Sequence, residues 1–252
     1  MQQQIKSNRE AKPRRARQRS AIEAIAFVLT RLKAVPFMRW LAHASGRELF
    51  ELPLVKTAYI GFGVTLASLA WIKLQGEQWA DYGLKRTKSL RWIAGAALLL
   101  IGLDLFYSIF LESTIDTLVL NYFGGNTHAA ANTFKAVVGN LPLYFYVLPF
   151  IWVFAAFGEE FFFRGFVMTK LARTMGDGRA AWVAAVLLQA VLFGLAHGYQ
   201  GPAGMVGTGI TGLIYGGATV VFGRNLWPAV IAHGAMDTLG FTLLFLGAIE
   251  TG

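Results

Sequence analysis

The chain of 252 residues contains no cysteine. Disulfide frameworks, thiol nucleophiles and cysteine-ligated zinc or iron–sulfur centres are therefore excluded. Charged residues are also scarce, at 15% of the chain, whereas soluble domains carry about 25%. Because hydrophobic residues make up 55% of the chain, this shortage argues against a soluble domain and favours a membrane protein with several spans.

The excess positive charge is confined to the N-terminal part of the chain. Residues 1–47 contain eleven Lys and Arg and two acidic residues, and this balance of +9 equals the net charge of the whole chain. Because a hydrophobic domain follows, this charge favours an anionic lipid surface or a cytoplasmic topology signal over nucleic acid. We therefore predict membrane lipids as partners and no nucleic-acid binding.

The composition divides the chain into three parts. Residues 1–20 contain almost nothing to bury, which predicts a disordered basic arm. Residues 21–50 mix apolar side chains with four or more charges, which predicts an amphipathic segment lying at the membrane interface. Residues 51–252 contain long apolar runs and are predicted to form the transmembrane domain.

The apolar runs predict an all-α polytopic membrane protein, a bundle of about six or more transmembrane helices, because a span needs about 20 apolar residues. The fifth run is rich in glycine, which permits close helix–helix approach in lipid. We expect a multi-pass protein of a bacterial plasma membrane. An even spacing of six spans cannot place the basic N-terminus and the basic first and third loops on one side, as the positive-inside rule requires. Either residues 21–50 enter the membrane more deeply than their composition suggests, or the rule is violated. The candidate spans are Leu54–Leu74, Leu90–Leu111, Leu141 to about Lys170, Ala180–Ala196, Met205–Phe222 and Leu226–Ile249.

A few ionisable groups interrupt these apolar runs. A charge at the bilayer centre costs at least ~2.5–3.5 kcal/mol on insertion scales, so such groups pair, line a wet cavity or perform chemistry. The chain has four histidines, and two of them, His43 and His128, lie outside the apolar runs and are predicted to be surface groups. The groups inside the runs are Asp104, Glu159, Glu160, Arg164, His197, His233 and Asp237.

The densest group is the stretch "GEEFFFRG", Gly158 to Gly165. Glu160 and Arg164 are four residues apart, so on a helix they share a face and can form an ion pair. Glu159 is turned by about 100° from Glu160 around the helix axis, so it does not face Arg164 as directly. We therefore predict its partners on other helices. A structural ion-pair cluster is the simpler interpretation, but it needs only one of the two acids.

Two histidine motifs follow in other apolar runs. "FGLAH" places His197 four residues after Phe193, and "HGAMD" places His233 and Asp237 four residues apart on one helix face. A lone intramembrane histidine is more often a helix–helix contact than a catalytic group. Together, however, two imidazoles and nearby carboxylates supply what a metal-bound or glutamate-activated water needs.

The ordered motifs "EEFFFR", "FGLAH" and "HGAMD" resemble those of the CPBP family of intramembrane proteases, which includes the CAAX prenyl endopeptidases and the Abi homologues. The basic stretch "YGLKRTKSLRW" and the glycine-rich fifth run also resemble the family. The resemblance covers residues 82–249 and implies an intramembrane endopeptidase. Its substrates would be peptides or membrane proteins, with lipid-modified ones included.

The resemblance also implies roles for the motif residues. Glu159 would be the general base that activates water, with His197 as its partner. His233 and Asp237 would stabilise the oxyanion or complete a metal site. The supporting set would be Glu160, Arg164 and Phe193, which hold the helix and pack beside His197.

Three questions stay open at the level of sequence. Glu159, His197 and His233 form a plausible zinc set, although we favour water activated by the glutamate without a metal. A non-catalytic immunity or scaffold protein, whose polar cluster is structural or binds a peptide, is the main alternative to a protease. A coupled transporter is a third alternative, which the lack of repeated halves disfavours.

Overall fold

The computed structural model describes residues 16–30, 53–85, 89–125 and 129–250, and every regular element in these ranges is helical. The all-α class predicted from the sequence is confirmed for this part of the chain. Short 3₁₀ turns lie at Trp79–Tyr82, Lys135–Val137 and Gly198–Gln200. The helices are α1 (residues 16–30), α2 (Pro53–Leu74), α3 (Leu90–Phe110), α4 (Glu112–Phe123), α5 (Ala129–Phe134), α6 (Leu141–Thr174), α7 (Arg179–Ala196), α8 (Gly201–Val221) and α9 (Trp227–Phe245).

Five of the described helices, α3 and α6 to α9, are long and apolar enough to cross a membrane. α2 contributes a shorter apolar helix, Gly61–Leu74. The multi-pass prediction is therefore supported, with five candidate spans counted over the described residues. α4 and α5 lie between α3 and α6 and are too short to span.

The predicted N-terminal boundary at residue 20 does not mark a change of structure, because α1 runs through it without a break. One side of α1 packs against the bundle through Glu23 and Ala24. The other side exposes Ile22, Ile25 and Leu29, which is the pattern of a helix at an interface. The rest of the predicted arm and interfacial segment, with His43 and also His128, lies outside the described residues.

The long helix α6 carries the polar stretch and departs from regular α geometry along it. The Asn140 side chain accepts a hydrogen bond of 3.1 Å from Leu143 N and caps its first turn. Pro149 then removes one backbone N–H inside the helix. Wider π-helical turns follow over Ile151–Phe157 and Glu160–Val167. Such turns are rare in helices and are frequent at functional sites.

The second π-helical stretch of α6 is the centre of the hydrophobic core. Its phenylalanine side chains are buried against α7 and α9 and against the turn that follows α2. Gly165 allows this packing, because a Cβ there would lie 2.7 Å from Tyr82 O and 3.0 Å from Leu226 Cδ1. The core therefore fixes the position of the helix that carries both glutamates.

Glycine also sets the distance between α7 and α8, as the glycine-rich composition predicts. A Cβ on Gly194 would lie only 2.4 Å from Met205 O, a backbone atom that cannot rotate away. The two helices therefore approach closely next to the end of α7, where His197 follows.

We expect Gly194→Ala to destabilise the protein, because the added methyl group forces α7 and α8 apart. Overpacking of this kind costs about 1–3 kcal/mol. Thermal denaturation of the detergent-solubilised protein, followed by size-exclusion chromatography, measures the change.

Gly102→Ala is the matched control. Gly102 also lies inside a helix, but no atom lies within 4 Å of its ideal Cβ, so alanine should be neutral or stabilising by up to about 1 kcal/mol. Equal stability of the two variants would contradict the close-packing explanation.

Candidate active site

Glu159 lies where the two π-helical stretches of α6 meet. Just before it, Gly158 O accepts a hydrogen bond of 3.0 Å from the Thr65 hydroxyl of α2. α2 therefore holds the backbone of α6 at this junction through a contact that no sequence motif predicts.

The structure brings Glu159 of α6 together with His197 at the end of α7. Glu159 Oε2 and His197 Nε2 are 3.6 Å apart, and about a tenth of each side chain is exposed. These two side chains are the pair that the CPBP resemblance assigns to water activation.

The backbone selects the tautomer of His197. Its Nδ1 lies 2.8 Å from the carbonyl oxygen of Phe193, which can only accept, so Nδ1 carries the hydrogen. In the neutral ring, Nε2 is then an acceptor that faces a carboxylate, also an acceptor. A water molecule between them can donate one hydrogen to each, which leaves its oxygen lone pairs for another partner.

Glu160 is completely buried and holds two cationic partners. Its Oε1 lies 3.2 Å from Arg164 Nη1, which gives the ion pair expected from the sequence, and 2.8 Å from His233 Nδ1 of α9. The sequence predicts partners for Glu159 on other helices, and the structure places His197 there, whereas His233 Nδ1 contacts the neighbouring Glu160. The wider π-helical turn helps to place Glu160, rather than Glu159, towards α9.

His233 is held from two sides. Its Nε2 lies 3.4 Å from Asp237 Oδ2 on the next turn of α9, while its Nδ1 contacts Glu160. Because both partners are carboxylates, a ring with N–H on both nitrogens satisfies both contacts. The Asp237 contact is the longer one, and a third of the Asp237 side chain is exposed.

Arg164 lies between two aromatic rings. Its guanidinium carbon is 4.0 Å from the centre of the Phe193 ring and 5.8 Å from that of Tyr215. The side chain is buried, and its guanidinium nitrogens make no hydrogen bond within the described part of the chain. The rings and the Glu160 charge therefore stabilise this cation. Phe193 thus contacts both Arg164 and His197, whose ring centre is 4.5 Å away.

Tyr215 is a member of this site that the sequence analysis missed. Its hydroxyl donates a buried hydrogen bond of 3.0 Å to Asp104 Oδ2 of α3, and its ring lies edge-on to His233 with centres 6.1 Å apart. Asp104 was noted as an intramembrane charge without an assigned partner. Tyr215 is the only aromatic residue in the glycine-rich α8, a clue that could have suggested the pairing.

The predicted zinc set of Glu159, His197 and His233 does not fit this geometry. Both ring nitrogens of His233 face Glu160 and Asp237, whereas Glu159 and His197 form a separate pair. No three His, Asp or Glu side chains come together as a metal-binding group within the described residues. We therefore derive no step through a metal.

A second ionic cluster joins the C-terminal end of α6 to the loop after α2, which lies outside the candidate spans. Glu77 contacts Lys170 at 3.3 Å and Arg173 at 3.1 Å, and it accepts a very short hydrogen bond from Tyr82. Burial raises the pKa of Glu77, but the hydrogen bond and the two cations outweigh it and hold this pKa below its usual range. Lys170 also pairs at 2.5 Å with Glu23, which attaches α1 to α6.

Comparison with known proteins agrees with the geometry. The family described as Type II CAAX prenyl endopeptidase Rce1-like matches residues 141–239, a range that contains all seven motif residues assigned above. No curated protein and no solved structure matches the chain. The CPBP resemblance drawn from the motifs is confirmed, and residues 141–239 form a domain of the Rce1-like type II CAAX prenyl endopeptidase family.

Proposed function

We propose that this protein is an intramembrane endopeptidase in which Glu159 and His197 activate a water molecule for attack on a peptide bond. Family membership implies a peptidase that acts on peptide substrates. The observation that carries the proposed catalytic roles is the spacing of 3.6 Å between Glu159 Oε2 and His197 Nε2, with the imidazole held by a backbone carbonyl. Membrane proteins and lipid-modified peptides are included among the candidate substrates.

The proposed reaction begins with a water held between the two acceptors. Glu159 takes a proton from this water as its oxygen forms a bond to the peptide carbonyl carbon. The tetrahedral intermediate carries a negative oxygen. When the carbon–nitrogen bond breaks, the protonated Glu159 donates its proton to the leaving amine. The products are a carboxylic acid and an amine, and the base is regenerated.

His233 is the proposed donor to the developing oxyanion. Its Nδ1 is fixed by the short contact with Glu160, whereas its Nε2 makes only the longer contact with Asp237. The Nε2–H can therefore turn to an oxyanion by giving up only this longer, weaker contact. Asp237 keeps the ring oriented, and Glu160 with Arg164 holds it from the other side.

Glu159→Gln should abolish proteolysis while the protein remains folded in the membrane, because the amide keeps the shape of the side chain but is no base. Comparative proteomics of membrane peptides from cells that express either form measures the loss of cleavage products. Glu112→Gln, outside the site, is the isosteric control and should behave as wild type. Unchanged cleavage by the Glu159 variant would favour the non-catalytic scaffold hypothesis.

Arg164→Leu should lower the stability of the folded protein, whatever its effect on catalysis, because the buried Glu160 carboxylate then keeps His233 as its remaining cationic partner. Breaking a buried ion pair typically costs about 3–5 kcal/mol. Thermal stability in detergent measures this loss, and Glu159→Gln, at a partly exposed position, should cost less than about 1 kcal/mol. A fully stable Arg164 variant would contradict the structural role of the pair.

Chelators should leave proteolysis unchanged, because Glu159, His197 and His233 do not converge on one point. Cleavage by the purified protein in detergent, with and without 1,10-phenanthroline, tests this expectation together with metal analysis of the same sample. Loss of activity that stoichiometric zinc restores would overturn the metal-free mechanism.

A further inference from the structure

Asp104 is a buried carboxylate that the proposed mechanism does not use. It lies in α3, is 6% exposed and falls outside the residues that the family matches. Charges within membrane spans are costly and are rarely kept without a function. Asp104 forms no ion pair with a described Lys, Arg or His side chain, and its Oδ2 accepts a hydrogen bond of 3.0 Å from the Tyr215 hydroxyl of α8. The charge of Asp104 therefore acts on the position of a tyrosine.

A link between two helices does not by itself require a charge. Gln189 joins α7 to α8 as a neutral amide, because its Nε2 donates a hydrogen bond of 2.7 Å to Gly212 O from a fully buried position. A carboxylate adds strength to such a link, since hydrogen bonds to an ionised acceptor are roughly twice as strong as neutral ones. The stronger bond is useful where the donor must not move.

The donor, Tyr215, borders both cationic partners of Glu160. Its ring lies edge-on to that of His233, with centres 6.1 Å apart and planes at 78°, within the range of favourable ring pairs. The guanidinium carbon of Arg164 lies 5.8 Å from the centre of the same ring. Tyr215 is buried, and its ring packs against α3 and α9 through Leu100, Ala229 and Ala232.

His233 needs a neighbour at its side as well as at its nitrogens. Its Nδ1 contacts Glu160 at 2.8 Å and its Nε2 contacts Asp237 at 3.4 Å. Both contacts lie along the ring nitrogens, so they resist a tilt of the imidazole less than a side chain packed beside it. Tyr215 is packed there, and its hydroxyl is anchored on a different helix by Asp104.

We propose that Tyr215 is a positioning residue for His233, and that Asp104 holds Tyr215 in place through the hydrogen bond to its hydroxyl. Neither side chain contacts the reacting atoms. They keep the imidazole at the tilt from which Nε2–H reaches the oxyanion. This catalytic consequence rests on the proposed function, whereas the effect on the orientation of His233 does not.

Tyr215→Phe tests the proposal, because it keeps the ring and removes the hydroxyl. The chain has four histidines, so protein labelled with ¹⁵N-histidine and reconstituted in lipid gives few ring signals, and His233→Gln assigns those of His233. We expect the His233 signals of Tyr215→Phe to be displaced or broadened relative to wild type. Unchanged His233 signals would overturn the proposal.

Tyr107→Phe is the matched control. Tyr107 lies one turn after Asp104 on α3 and is also buried, but its hydroxyl has no hydrogen-bond partner within the described part of the chain. Removal of this hydroxyl should leave the His233 signals as in wild type. An equal displacement in both variants would show that any lost tyrosine hydroxyl disturbs the bundle, and would reject the specific role of Tyr215.

Substitutions of Asp104 test the other half of the pair. Asp104→Asn keeps an oxygen that accepts from Tyr215, so it should disturb His233 less than Asp104→Leu, which has no acceptor. Equal effects of the two would overturn the role of Asp104. Tyr215→Phe leaves a carboxylate without its donor and so loses stability. The double variant with Asp104→Leu removes both polar groups and should be more stable than Tyr215→Phe, with His233 still displaced.

Kinetics separate positioning from a purely structural link. The substrate is a synthetic peptide that spans a site whose cleavage is lost in Glu159→Gln. We expect the double variant to lower kcat by about 10-fold or more, as partners that orient a reactive imidazole do, with KM changed by less than about twofold. A structural link would lower stability and leave kcat per folded molecule unchanged, which would overturn the catalytic consequence.

The NMR measurement does not depend on proteolysis, so its outcome is separate from that of Glu159→Gln. Displaced His233 signals together with cleavage that does not need Glu159 would keep the positioning role and reject the proposed mechanism. Glu159-dependent cleavage with undisturbed His233 signals in Tyr215→Phe would keep the protease and reject the positioning role.

Discussion

The burial of the Glu160 carboxylate is the constraint on which the rest of the site depends. A carboxylate without exposure in an apolar bundle must be compensated by charge, and Arg164 and His233 provide it from two directions. This requirement joins α6 to α9 at one point. It also fixes the Arg164 guanidinium between the rings of Phe193 and Tyr215, which draws α7 and α8 to the same place. One buried charge therefore positions side chains from four helices.

The same constraint explains why adjacent glutamates differ in role. Glu160 is fully buried and held by cations, whereas Glu159 is partly exposed and lies next to His197. A general base needs access to water and substrate, which Glu160 lacks. The π-helical turns allow this division, because they change the direction of consecutive side chains and still keep both glutamates on one helix. Thr65 stabilises the junction through the Gly158 carbonyl.

The fold class, most spans and the motif residues could be predicted from the sequence, because apolar runs and i, i+4 spacing are local properties. The contact of His233 with Glu160 could not be predicted, since it depends on how α9 docks against a helix whose geometry is not regular. Pro149 indicates that α6 is irregular but not which turns become wider. Tyr215 was missed for a similar reason. Its hydroxyl bonds to Asp104 on a third helix, and its position as the one aromatic residue of α8 marks the residue without identifying that partner.

The conflict with the positive-inside rule concerned the basic N-terminus and the basic loops, which six evenly spaced spans cannot place on one side. α1 packs at the end of α6, through Glu23 and Lys170, on the side where α2 ends. Because α4 and α5 do not span, α3 and α6 run in opposite directions, and the basic loops after α2, α6 and α8 all lie at one face. The rule is then satisfied by every described loop.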